Sequence, residues 1–243
     1  ERFKHSDLPP GVRVLHRDRK EGLGAAYVAG FRRALADGAD IIAQMDADGS
    51  HDPEEIPKMI ACLAPSSSLR GRSRSNPGLC AQTPGLLRSA RNDPENGPDL
   101  VIGSRRVPGG RTVGWGWHRR LASWCAQALA RAILNLQTRD VTSGFRVWRA
   151  SALRAGHKRG LTLYATGSDP FSGPVASGYA FQEEMLYRAE KGGVNIVEHP
   201  ITFRDREHGK SKLGRRDILG FFRTCARLWF GAHDRRFAVM IGT

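Results

Sequence analysis

The sequence predicts an α/β fold, Rossmann-like, with a mostly parallel sheet flanked by helices. Three observations carry that prediction. The apolar run Ile41-Ile42-Ala43-Gln44-Met45 ends in Asp46-Ala47-Asp48-Gly49-Ser50-His51, which reads as a buried strand delivering two carboxylates to a crevice at its C-terminal end. Helical patterns flank it on both sides, reaching to about Asp37 before it and from Asp52 to about Leu63 after it, as in a βαβ arrangement. A further strand candidate, Asp99-Leu100-Val101-Ile102-Gly103, ends in the polar turn Ser104-Arg105-Arg106. The chain has 243 residues, 40% of them hydrophobic, enough for one domain with a sizeable core. That domain is expected over residues 1–230, with a disordered insertion at 65–98, a loose loop at 157–177 and a C-terminal tail at 231–243.

Taken in order, residues 1–11 are polar and Pro-rich, and Val12-Arg13-Val14-Leu15-His16 is a short strand candidate. Gly22-Leu23-Gly24 permits a tight turn into a helix packed through Tyr27, Phe31 and Leu35. Such a turn can bind phosphate, but without a G-x-G-x-x-G form the plain turn is the stronger reading. Asp52 is a natural N-cap, with Pro53 at the first helical position. Residues 65–98 are rich in Ser, Arg, Pro and Gly without periodicity, with five arginines against Asp93 and Glu95. They read as an insertion. From Trp117 to Leu136 the spacing predicts a helix whose stripe of Leu121, Trp124, Cys125, Ala128, Leu129, Ala132, Ile133 and Leu136 faces the core. The Phe/Val pattern of Asp140-Val141-Thr142-Ser143-Gly144-Phe145-Arg146-Val147-Trp148 also reads as buried. A helix opens at Gly178-Tyr179-Ala180-Phe181-Gln182 and ends near Gly192. Short strands follow at Asn195–Glu198 and Ile201–Phe203.

Two carboxylates at i and i+2 of an extended segment point the same way. With nothing apolar to neutralise them, Asp46 and Asp48 suit a divalent cation that carries a phosphate ligand. Arg105 is placed to reach a phosphate at the same sheet edge. Arg119 and Arg120 oppose the dipole in the first turn of their helix, a hint of an anionic ligand nearby. The loop from Arg204 through Arg206, Gly209, Lys210 and Lys212 to Leu213 suits wrapping an anion. Lys+Arg 38 against Asp+Glu 24 gives a net charge of +14. That calls for a polyanionic partner, but no recognition-helix or RNA-binding signature supports nucleic acid. The helix from Asp217 to Phe230 has a bulky aromatic face flanked by arginines, and two readings stand for it: a membrane-interface helix or a terminal helix docked on the core. Cys62, Cys80, Cys125 and Cys225 are scattered without a C-x-x-C, which fits reduced thiols rather than a disulfide framework or a zinc site. No apolar run approaches the ~20 residues that a bilayer span needs. The chain begins at Glu1, not Met, so a trimmed start is expected.

These stretches together resemble the polyprenyl-phosphate (dolichol-phosphate) mannosyltransferases, family-2 glycosyltransferases with a GT-A fold. The matching residues are Gly22-Leu23-Gly24-Ala25-Ala26-Tyr27 with Gly30-Phe31, Met45 through His51 with Pro53-Glu54, Gly103-Ser104-Arg105, and Arg119 with Ser123. Further along come Asp140 with Thr142 through Arg146, Gly178-Tyr179 with Phe181-Gln182, and Gly209 with Ser211-Lys212-Leu213. The resemblance implies an enzyme of the dolichyl-phosphate β-D-mannosyltransferase type. Such an enzyme takes mannose from GDP-mannose to polyprenyl phosphate, peripherally at the cytoplasmic face of a membrane, and a membrane-anchoring partner protein is compatible with it. It implies Mg2+ or Mn2+ at Asp46 and Asp48, with Ala47 and Ser50 alongside. It implies phosphate contacts from Arg105, Arg119, Arg206 and Lys212, with Asp140 as a positioner. The strand and Pro-Thr-Tyr-Asn-Glu-like turn with which family members begin do not precede Val12, so the domain is expected to be N-terminally incomplete. Related readings within the fold are a different sugar nucleotide, or a truncated inactive homologue that binds anions or membranes.

Overall fold

The computed structural model describes residues 9–19, 21–64, 97–154, 180–205 and 220–230. Helix α1 (Leu23–Ala36) leads to strand β1 (Ile41–Gln44), then helix α2 (Glu55–Cys62) and strand β2 (Leu100–Ser104). Next come β3 (Arg111–Val113), α3 (Trp117–Leu134), β4 (Arg146–Arg149) and the short α4 (Ala150–Arg154). Helix α5 (Ala180–Lys191) and strands β5 (Ile196–Pro200) and β6 (Thr202–Arg204) follow, and residues 220–230 are helical. The main sheet has the order β1-β4-β2-β5. β4 is antiparallel to both β1 and β2, while β2 and β5 are parallel. Three of the four strands therefore run the same way, with β4 reversed between two of them. The expected α/β sheet flanked by helices is present, but β1 has no parallel neighbour among the described residues.

Alternation along the strands divides the core into two layers, as a pleated sheet requires. Ile42, Leu100, Ile102, Trp148 and Ile196 face one side and pack with Val28 and Phe31 of α1, Ala130 and Leu134 of α3, and Phe181, Met185 and Leu186 of α5. Val101 and Val147 face the other side and pack with Phe145, Ile201, and Met59 of α2. This topology gathers one end of the sheet. The C-terminal ends of β1 and β2 lie beside the N-terminal end of β4, because Gln44 and Ile102 both pair with Arg146. Asp46 to His51, Arg105 and residues 140–145 therefore share that end. β3 and β6 form a separate parallel ribbon, tied to the acidic turn by the Arg204 N–H donating to the Ser50 carbonyl at 3.0 Å.

Several expectations are corrected. Residues 12–16 form no strand; Val12 and Leu15 are half exposed, and among the described residues no neighbouring strand supplies the ladder bonds that would fix one. Among the described residues β1 lies at the edge of the sheet and alternates exposed and buried residues, so its apolar run does not mark a fully buried strand. Helix α2 begins later than expected: Glu54 is its N-cap, and the Asp52 carboxylate accepts from the Glu54 N–H at 2.9 Å as a local turn. Most of the α3 stripe faces outward, with Trp124 59% and Leu121 51% exposed, while Ile133 and Leu136 at its C-terminal end do meet the core. The opposite face, with Gln127, Ala130 and Leu134, is the buried one. Amphipathicity gives the apolar face of a helix but not what covers it. Cys62 is disulfide-bonded, while Cys125 and Cys225 are free; spacing alone does not reveal pairing. Helix 220–230 turns Cys225 into the core and leaves Trp229 and Phe230 exposed. The expected insertion (except Gly97 and Pro98), the loose loop at 157–177 and the tail at 231–243 lie outside the described residues.

Helix α5 carries a group with a measurable consequence. Glu183 is 1% exposed, and among the described residues neither of its carboxylate oxygens has a hydrogen-bond partner. Burial pushes its pKa from the ordinary 4.5 up to about 9, with Arg146 pulling the other way. The folded protein thus keeps a proton that the unfolded chain loses above pH 4.5. Stability from this group is complete below that pH and falls by about 1.4 kcal/mol per unit as the pH rises toward 9. Glu183→Gln is expected to remove that slope, raising stability at pH 8 by up to about 4 kcal/mol relative to pH 5. Urea unfolding of both proteins at the two pH values measures it.

Candidate active site

Each carboxylate at the end of β1 is braced by one hydroxyl. The Tyr27 hydroxyl donates to Asp46 Oδ1 at 2.7 Å. The tyrosine ring is held by Phe181, stacked at 5.8 Å. Burial, with Asp46 adding to it, raises the Tyr27 pKa far above its usual range, so this hydroxyl stays a donor. Asp48 Oδ1 accepts from the Ser50 N–H at 3.1 Å and from its hydroxyl at 2.5 Å. The turn between them needs Gly49, whose φ of 76° is unfavourable for other residues. Outer contacts of this kind fix the direction of a metal ligand. Among the described residues no cluster of three or more His, Cys, Asp or Glu forms a complete metal site. Two oriented carboxylates are nevertheless the donor set for a cation whose remaining positions go to phosphate oxygens and water. The residues therefore fit Mg2+ or Mn2+ bound together with a diphosphate.

Beyond the acids lies a cluster of aromatics and guanidiniums. His51 is buried between Phe145 (5.0 Å) and Phe203 (5.2 Å). Burial lowers its pKa, with Arg105 adding to that and Asp46, Asp48 and Asp140 opposing it. Phe203 also meets Trp115 edge-on at 5.6 Å. Arg105 lies 5.2 Å from the Phe203 ring centre and 5.9 Å from that of Trp115, and Arg119 stacks on Trp115 at 4.0 Å. Two cations thus share one aromatic platform.

Neither cation is without a counterion. Arg105 is buried against Asp140 in a two-pronged pair, with Nε–Oδ2 at 2.8 Å and Nη2–Oδ1 at 2.7 Å, and it also donates to Thr142 at 2.9 Å. Burial alone would raise Asp140, but Arg105 outweighs it and holds the carboxyl below the usual range. Glu198 lies behind this pair and accepts from the backbone N–H groups of Arg139 and Asp140 at 2.8 and 3.0 Å; burial raises its pKa. Arg119 is partly exposed and paired with Asp205 at 3.0 Å. Arg106 donates to Ser123 at 2.9 Å.

Of the residues expected from sequence, Asp46, Ala47, Asp48, Ser50, Arg105, Arg119 and Asp140 thus lie in or around one end of the sheet. Arg206 and Lys212 lie outside the described residues, just beyond β6. Three contributors were not anticipated in their roles. Tyr27 reads as a packing residue, although a buried tyrosine hydroxyl generally needs a partner. Trp115, between two glycines, and Phe203 carry no local signal. Their platform exists only because β3 pairs with β6, some ninety residues apart (Thr112 with Phe203).

Residues 1–64 match the family model described as glycosyl transferase family 2. The undecaprenyl-phosphate mannosyltransferase of Micrococcus luteus is 40% identical over 204 residues, covering 84% of this chain and 65% of that protein. The polyprenol monophosphomannose synthase of Mycolicibacterium smegmatis is 35% identical over 210 residues, covering 86% of this chain and 63% of its own. The chain therefore spans slightly less than two thirds of the length of these relatives. Among solved structures, glucosyl-3-phosphoglycerate synthase from Mycobacterium tuberculosis aligns at 18% identity and a TM-score of 0.48, over 89% of this chain and 58% of that one, a likeness too distant to carry an argument. The family match runs through the braced aspartates, and the likeness to the two relatives continues across the arginine cluster, so the chain is similar to glycosyl transferase family 2 at the site and to these mannosyltransferases over most of its length.

Proposed function

We propose that the protein transfers mannose from GDP-mannose to polyprenyl phosphate, giving polyprenyl-phosphate mannose, peripherally at the cytoplasmic face of a membrane. The observation that carries this reading is the convergence, at one sheet end, of two braced carboxylates with two guanidiniums on one aromatic platform. The names of the two relatives support mannose and a polyprenyl-phosphate acceptor; the GDP-linked donor follows from the family resemblance. In this reading Asp46 and Asp48 hold the cation and diphosphate, kept in register by Tyr27 and Ser50. A bound Mg2+ or Mn2+ supplies Lewis-acid neutralisation of the departing diphosphate. Arg119 exchanges its exposed contact with Asp205 for an acceptor phosphate. Arg105 keeps its charge in place through Asp140, and Arg206 and Lys212 complete the cradle. The acceptor phosphate is already anionic, so it needs positioning and electrostatic support more than a base. Asp140, held ionised by Arg105, serves as a positioner.

Two exposed aromatic surfaces support the membrane setting. α3 presents Trp117 (76% exposed), Leu121 and Trp124 at helical spacing, and helix 220–230 presents Trp229 and Phe230. A net charge of +14 favours anionic lipid beneath such faces. Among the described residues no helix is long and apolar enough to cross a membrane. Trp124→Glu is expected to weaken flotation with anionic vesicles about tenfold, with little change in Tm because the side chain is 59% exposed. A membrane-anchoring partner protein is compatible with this arrangement. The reading as a whole is tested by donor competition with the full-length protein: GDP-mannose should yield a chloroform-extractable mannolipid that excess unlabelled GDP-glucose or UDP-glucose does not suppress. Preferential transfer from either competitor would replace mannose with that sugar.

A further inference from the structure

Beside Asp46 a chain of three side chains ends in a donor without a partner. Trp148 is fully buried, and its indole N–H can only donate. It donates to Gln44 Oε1 at 3.2 Å. That contact fixes which end of the Gln44 amide is which, and the Gly144 carbonyl, an acceptor only, confirms it by receiving Gln44 Nε2 at 3.0 Å. The same Nε2 donates to Gln182 Oε1 at 3.0 Å. The oxygen of Gln182 is therefore committed, and its NH2 is the end left over. Gln182 is 3% exposed, and its Nε2 has no hydrogen-bond partner among the described residues. A buried amide donor without a partner is costly, and such groups call for an explanation.

The surroundings of that NH2 supply one. A side-chain carbon built on Gly144 would have Asp46 Oδ2 at 3.5 Å, Asp46 Oδ1 at 3.6 Å and Gln182 Nε2 at 3.6 Å as its nearest contacts among the described residues, its own chain neighbours aside. The glycine thus leaves a methyl-sized gap lined by a carboxylate, which only accepts, and an amide NH2, which only donates. A phosphate oxygen would satisfy the amide but be repelled by Asp46. A hydroxyl satisfies both, donating to Asp46 and accepting from Gln182. We infer that Gln182 is a substrate-contacting, specificity-determining residue whose NH2, with Asp46, receives a hydroxyl of the nucleotide sugar in the gap beside Gly144. This inference rests on the proposed donor-binding role of Asp46. The hydroxyl belongs either to the hexose or to the ribose, which share this chemistry.

Binding of Mn2+ alone, of GDP with Mn2+ and of GDP-mannose with Mn2+ to the full-length protein decides the matter. The wild type is compared with Gln182→Met, which removes the donor, and Gly144→Ala, which fills the gap. Both variants should stay folded with wild-type Mn2+ affinity, Gly144→Ala at unchanged Tm and Gln182→Met at a lowered Tm because it also takes the acceptor from Gln44 Nε2, and both should lose about tenfold or more in GDP-mannose affinity. Unchanged GDP affinity then assigns the hexose hydroxyl, and an equal loss for GDP assigns the ribose. Wild-type affinity for GDP-mannose in folded variants overturns the inference and leaves only a buried water to fill the gap. So does an equal loss of Mn2+ affinity without nucleotide, which would mean that Gln182 acts through Asp46. If the wild type binds a different nucleotide sugar, the GDP-mannose reading fails by itself, and the same variants tested with that donor judge Gln182. If it binds none, both fall.

Discussion

Replacing Asp48 by alanine is expected to reduce mannosyl transfer about a thousandfold while leaving Tm near the wild-type value. Asp48 opens the turn to Ser50 and is partly exposed, so its removal leaves no cavity in the core. What it removes is one of the two carboxylates proposed to hold the cation, together with the anchor of the Ser50 hydroxyl at 2.5 Å. Ser50→Ala separates these effects: it keeps the carboxylate and loses only its brace. It should cost far less, about tenfold, and the loss should shrink when Mn2+ is raised. Steady-state rates over a Mn2+ titration for both variants provide the check. An Asp48→Ala protein with undiminished transfer would remove this residue from the metal site.

Asp140→Ala is expected to destabilise the fold by about 3–5 kcal/mol, because it strands the buried Arg105 guanidinium without its counterion. Asp140 is fully buried, and three Arg105 donors, the backbone N–H among them, converge on it within 2.8 Å. Since Arg105 holds the Asp140 carboxyl below its usual range, the pair should also weaken as acid protonates Asp140. Its contribution is present above the ordinary carboxylate pKa and is lost as the pH falls through the lowered folded value. Urea denaturation of wild type and Asp140→Ala at pH 7 measures the difference. A companion Asp140→Asn protein keeps the shape and most hydrogen-bonding positions but not the charge. It should fall close to Asp140→Ala if the charge, rather than packing, is what Asp140 supplies, and close to wild type if packing is.

The parts legible in the sequence were those written in local periodicity. Residues 23–36 and 180–191 repeat at helical spacing, and Leu100 to Ile102 is a continuous apolar run, so each element lies within a few residues of its expected place. The acid pair was legible because Asp46 and Asp48 follow an apolar strand with nothing beside them to neutralise charge. What pairs with what was not legible. The reversal of β4 depends on Arg146 to Arg149 finding β1 and β2 on either side, and no residue in that run states a direction. The α3 stripe was visible as a stripe, but whether it met the core or the outside depended on Gln127, Ala130 and Leu134 fitting the sheet face instead. Arg105 was expected to be available to a phosphate, whereas its two-pronged bond to Asp140 joins residues 35 positions apart. The Trp148–Gln44–Gln182 relay spans still greater separations. Polar partnerships of this kind arise from the sheet order, which local pattern does not encode.

The most direct measurement is the cation dependence of mannolipid formation by the full-length protein with GDP-mannose and polyprenyl phosphate. If Asp46 and Asp48 anchor a cation and diphosphate, chloroform-extractable product forms with Mg2+ or Mn2+, disappears with excess EDTA, and returns when the cation is restored. Transfer that continues at full rate in EDTA would contradict that anchoring role.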